Sequence, residues 1–106
     1  MSQFNIHPQA RVEFDEAFVN YLGIDPNLAV SFEATFFDCL DRIIANPLLF
    51  NLRRPPTRLA NLKPRFGEYY IAYMIWREKV VILAIAHAKR RPYYWRNRIV
   101  ASKKLF

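Results

Sequence analysis

A chain of 106 residues has room for a single domain over 1–106 and one core, which excludes a modular assembly. With 53% hydrophobic and 16% aromatic residues it is far from the low-hydrophobicity composition that keeps a chain disordered. The net charge of +7 is unevenly spread: residues 1–46 hold seven acids against Arg11 and Arg42, whereas residues 47–106 hold fourteen bases against Glu68 and Glu78.

A short edge strand is expected at Gln3–Ile6, and Pro8 then marks a helix start, where a missing backbone donor is harmless. Ala10, Phe14, Ala17, Phe18 and Tyr21 fall on one face of a 3.6-residue period, and Gly23 is placed to end the helix. Asp25-Pro26 is a second start signal, a capping carboxylate followed by a first-turn proline. Ala29, Phe32, Phe36, Leu40 and Ile43 form the stripe of this second helix, widened by Val30, Phe37 and Ile44, and Asn46-Pro47 closes it. Cys39, the only cysteine, lies among these apolar residues and reads as a small buried hydrophobe, which suits a reducing cytoplasm.

Between Leu48 and Arg65 the prolines and the lack of periodicity predict a loop with one short strand at Thr57–Leu62. Glu68–Trp76 and Val80–His87 predict a hairpin, because the charged turn Arg77–Lys79 interrupts an apolar run that would otherwise suggest a membrane span. Alternation places Tyr69, Ile71, Tyr73 and Ile75 on one face and Tyr70, Ala72, Met74 and Trp76 on the other. Both faces are apolar. One must lie on the helices, and the other is covered by the chain's own tail or left for a partner.

The N-terminus has neither the basic flank nor the apolar core of an export signal, so a cytoplasmic location without membrane association is expected. His7 and His87 are far apart and lack carboxylates or cysteines at ligand spacing, and there is no glycine-rich phosphate loop. No metal or cofactor is expected. The cationic second half raises the local concentration of anions and favours nucleic acid or an acidic protein segment as partner. The tail from His87 to Arg98 interleaves cations with aromatic rings, a mixture that contacts phosphates and stacks on bases, although Trp95 and one tyrosine also suit packing on the sheet.

From Phe14 to Arg98 the order of these pieces resembles the RelE/ParE superfamily of toxins from type II toxin-antitoxin systems. The resemblance rests on two helices ending at Asn46-Pro47, a basic linker with Arg58, the strand Tyr69-Tyr70-Ile71-Ala72-Tyr73, and Val81–His87 leading into Ala88-Lys89-Arg90-Arg91-Pro92-Tyr93-Tyr94-Trp95. The last segment is most similar to the ParE branch. The resemblance implies an α+β fold, an N-terminal helical hairpin packed on a small curved antiparallel sheet. It also implies a cognate acidic antitoxin that wraps the toxin, with higher oligomers of the pair as a further expectation.

ParE-like members are understood to poison DNA gyrase without cutting anything, and that reading makes Arg58, Arg65, Arg90, Arg91, Trp95 and Arg96 the target contacts. Tyr70, Met74 and Trp76 are then the antitoxin contacts on the second sheet face, and a free chain with that face bare is expected to be poorly soluble. RelE-like members are similar to ribosome-dependent ribonucleases. Metal-free RNA cleavage needs a proton acceptor, cations and an acid, for which His87, Arg58, Lys63, Arg65 and Tyr93 are available; His87, Arg65 and Tyr93 are the principal candidates. The Gly-x-Tyr-Arg element of the nuclease members stands here as Gly67-Glu68-Tyr69-Tyr70, without its arginine, which favours the ParE reading. A third reading is a non-toxic basic module that binds nucleic acid.

Overall fold

The computed structural model describes residues 4–106, so Gln3, expected in the first strand, lies outside the described residues. The elements are β1 (Phe4–Ile6), α1 (Pro8–Ile24), α2 (Pro26–Ala45), β2 (Arg58–Leu62), β3 (Phe66–Trp76), β4 (Lys79–His87) and α3 (Arg98–Leu105). No helix among the described residues is long and apolar enough to cross a membrane.

Local chemistry sets the hairpin. His7 caps α1, its Nδ1 accepting from the Gln9 amide at 3.1 Å with Pro8 in the first turn. Asp25 serves two helices: its backbone N–H donates to Tyr21 O, and its carboxylate accepts from the Asn27 amide at 2.9 Å. Because this one extended residue makes the whole connection, α1 runs through Gly23 to Ile24, and Gly23 takes no left-handed backbone. The expected faces are the packed ones, with Ala10, Ala17 and Tyr21 buried against Phe32, Phe36, Leu40 and Ile43. Val30 and Phe37 stay exposed, outside the stripe. Cys39 is buried, which pushes its thiol up to about 11.

The sheet has the order β1-β4-β3-β2. The hairpin partners are antiparallel, but β1 joins β4 in parallel, from Phe4↔Val80 to Ile6↔Ile82, so the sheet is mixed. A parallel neighbour requires a long crossover, which here is the whole span from α1 to β3. Within β3↔β4 the pairing passes from Ala72↔Ala84 to Tyr73↔Ile82, leaving Leu83 without a partner. This bulge reverses the alternation of β4. Val80, Ile82 and Ile85 face the helices, while Val81, Leu83, Ala84 and Ala86 face the other way.

The second face is not bare. Trp95 and residues of the tail and α3, among them Tyr93, Tyr94, Ile99 and Phe106, pack on Ala72, Met74, Leu83 and Ala86. Of the two coverings that the alternation allows, the chain supplies its own. α3 was not predicted: eight residues are too short to hold a helix alone, and its apolar residues have meaning only against β4.

Candidate functional site

Glu13 organises the joint between helices, sheet and tail. Beyond Ile82 no strand among the described residues lies beside the outer edge of β4, because β1 ends at Ile6. Side chains satisfy that edge instead. The Ile85 amide donates to Glu13 Oε1 at 3.2 Å, and Arg98 donates to Leu83 O at 3.0 Å. Arg98 also grips both Glu13 oxygens, at 2.8 and 3.2 Å, while Arg90 reaches Oε2 at 3.1 Å and Tyr94 donates its hydroxyl to the same oxygen. Burial, reinforced by this hydrogen bond and the Glu13 charge, holds the Tyr94 hydroxyl well above its ordinary range. About two turns further along α1, Tyr21 donates to Glu68 and is raised in the same manner.

Across the sheet, the linker, β2 and the end of α2 enclose an open groove of about 550 Å³, lined by Arg42, Phe50, Asn51, Arg53, Leu59, Asn61, Lys63 and Tyr70 among others. Its wall is pinned from beneath. Thr57 is fully buried and donates to the carbonyls of Arg53 and Arg54, and its own carbonyl accepts from the Arg53 amide at 2.8 Å. Arg58 donates to Phe50 O at 2.7 Å, and Asn61 donates to Gly67 O at 2.9 Å.

The predicted target contacts separate into different roles. Trp95 is 1% exposed and donates its indole N–H to Tyr70 Oη at 3.2 Å, so it is a core residue. Arg90 is tied to Glu13 and stacks 3.7 Å over the Tyr94 ring. Arg58 braces the linker. Arg65 lies on the helical side, 3.2 Å from Ser31 Oγ. Arg91 and Arg96 are exposed, and neither takes part in an ion pair among the described residues.

The nuclease candidates each have their own neighbours. His87 packs edge-on against Tyr69 at 4.9 Å and accepts the Lys89 amide on Nδ1 at 3.0 Å. Tyr93 lies under the Arg54 guanidinium at 4.5 Å, and Arg65 is at Ser31. None of the three touches another through a hydrogen bond or ring contact among the described residues. Of the expected antitoxin contacts, Met74 is 1% exposed beneath the tail, while Tyr70 and Trp76 are half-buried. Trp76 carries the cations of Arg77 and Lys103 on its ring, at 5.3 and 5.0 Å.

Sequence reasoning missed Glu13, Arg42 and Arg53. Glu13 had a signal: it is three residues after Ala10 and four before Ala17, an acid on the apolar stripe of α1, which marks a paired carboxylate. Arg42 and Arg53 had none, since only the fold brings α2 beside the linker.

A family model described as "ParE toxin of type II toxin-antitoxin system, parDE" matches residues 4–92. No curated protein matches the chain. The matched span runs from β1 through β4 into the tail, taking in the hairpin, the sheet and the linker wall of the groove, and leaving Trp95 and α3 beyond it. With the helical hairpin on a four-stranded sheet already described, the chain belongs to the ParE toxin family of type II toxin-antitoxin systems.

Proposed function

We propose that this toxin arrests growth by binding DNA gyrase, without bond-breaking chemistry of its own, and that a cognate acidic antitoxin neutralises it. The observation that supports the reading is the separate engagement of His87, Arg65 and Tyr93. RNA cleavage needs a base at the 2′-hydroxyl, a cation at the phosphorane and an acid at the leaving oxygen of one phosphodiester, whereas these three side chains are each held by a different neighbour, the Lys89 amide, Ser31 and Arg54. Binding needs only exposed, correctly charged surface. Arg91 and Arg96 supply it on the tail and Arg65 on the helical side, with half-buried Arg58 bracing the linker, while Arg90 and Trp95 hold the tail in shape. The antitoxin meets Tyr70 and Trp76, and reaches Met74 only where the tail yields.

The test is pulse labelling of DNA and protein synthesis within minutes of inducing the chain alone. Early loss of DNA synthesis with a DNA-damage response is expected. Early loss of protein synthesis, with cuts in messenger RNA, would replace this reading with ribosome-dependent cleavage.

A further inference from the structure

Arg42, Arg53 and Lys63 reach the groove from α2, the linker and the β2–β3 turn, so only the fold makes them neighbours. All three are exposed, no acid lines the groove, and both ion pairs among the described residues go to Glu13. Like charges around one concavity repel one another and focus a positive potential into it. The wall cannot relax away, because Thr57 fixes the linker at Arg53 and Arg54. Tyr70 offers a half-buried ring in the same lining, and the amide of Asn51 can both donate and accept.

We infer that this groove binds the sugar–phosphate backbone of a single nucleic-acid strand, with phosphates at Arg42, Arg53 and Lys63 and a base against Tyr70. Cations spread along a groove that also holds an aromatic ring suit phosphates alternating with flat bases. An acidic peptide brings the charge without the stacking surface. Arg91 and Arg96 are not part of the groove lining, and the ligand of the groove does not depend on whether the toxin acts on gyrase or on the ribosome.

The full chain is titrated into fluorescently labelled single-stranded DNA and RNA of about 12 nucleotides, at salt from about 50 to 200 mM, with neither gyrase nor ribosomes present. The triple variant Arg42→Gln, Arg53→Gln, Lys63→Gln is expected to lose at least about tenfold in affinity and to flatten the log–log salt slope by about 2, since each phosphate contact on a single strand contributes about 0.7. Lys79→Gln, Lys89→Gln, Lys104→Gln removes the same charge elsewhere and is expected to stay within about twofold of the parent. If the groove triple fails to fold, its three single variants carry the test, each flattening the slope by about 0.7. Loss of either DNA or RNA binding through these cations supports the inference. Equal losses in the two triples would reduce the binding to diffuse electrostatics and overturn it, as would a polyglutamate peptide that binds the groove more tightly than either strand.

Discussion

Arg98 Nη1 and Nη2 lie 2.8 and 3.2 Å from the two oxygens of Glu13, a forked ion pair that fastens the first turn of α3 to the second turn of α1. Both side chains are largely buried, and the pair also closes the strandless edge of β4. Glu13→Ala leaves a nearly buried guanidinium without its counter-charge and the Ile85 amide without its acceptor. A loss of about 3–5 kcal/mol is expected in urea denaturation. Glu13→Met with Arg98→Met, which removes both charges together, is expected to cost less; an unchanged midpoint for Glu13→Ala alone would show that the tail is held by apolar contact only.

Acid should weaken the cap of α1. His7 is held below its ordinary value of 6.5, chiefly by burial and then by the Arg98 cation, against an opposing pull from Glu13. The unfolded chain therefore takes up this proton at higher pH than the folded chain. The stability involved is fully present above pH 6.5 and is lost as pH falls through the lower folded value. His7→Asn retains a capping oxygen and has no proton to gain. Between about pH 7 and pH 5 its unfolding free energy should fall less than that of the parent, and parallel declines would exclude His7 as the source.

The β3–β4 turn has room for improvement. Arg77 and Glu78 have φ of 53° and 66°, the left-handed pair that a tight two-residue hairpin demands and that glycine adopts without a Cβ clash. Arg77 also donates to Phe106 O, whereas Glu78 is exposed. Glu78→Gly is expected to raise stability by about 0.5–1 kcal/mol, the relief of left-handed strain outweighing the extra freedom of glycine in the unfolded chain. Thermal denaturation decides it, and a lower melting point would refute the strain argument.

Alanine at Trp95 and at the tail arginines should silence the toxin for different reasons. Trp95→Ala empties a core site beneath Tyr70 and is expected to cost about 3–5 kcal/mol, so the chain loses toxicity by losing its fold. Arg91→Ala with Arg96→Ala leaves the melting curve in place and removes growth arrest. Toxicity persisting in a well-expressed Arg91→Ala, Arg96→Ala chain would exclude these two as target contacts.

The tail also answers the expectation of poor solubility. Since Met74, Leu83 and Ala86 lie under it, a chain ending at Asn97 should bind an apolar dye strongly and associate, and the full chain should not. Equal dye binding by the two would mean that α3 does not shield this face.

The hairpin helices, the β3–β4 pair and the alternation of β3 were all legible in residue order, because each is a local periodicity bounded by a proline, a capping side chain or a charged turn. Tyr69, Ile71 and Tyr73 face the helices and Tyr70, Ala72, Met74 and Trp76 the tail, as alternation requires. Along β4 the same rule failed at Leu83, since a bulge is a property of two paired strands and leaves no mark in one. The parallel pairing of β1 escaped for a similar reason: three residues cannot announce which strand they will join.

The candidate site was less legible than the fold. Charge partition drew attention to the continuous run of cations in the tail. There, folding ties Arg90 to Glu13 and buries Trp95. The groove draws its cations from three distant segments, one of them the acidic half that holds Arg42. By itself, then, the sequence determined the family, the hairpin and the sign of the surface, all of which depend on residues close together or on sums over many. Tertiary structure alone decided that the tail covers the second sheet face, that Glu13 closes the edge of β4, and that Arg42, Arg53 and Lys63 share one groove. Each of these is a long-range pairing, set by which elements pack together and not by any spacing along the chain.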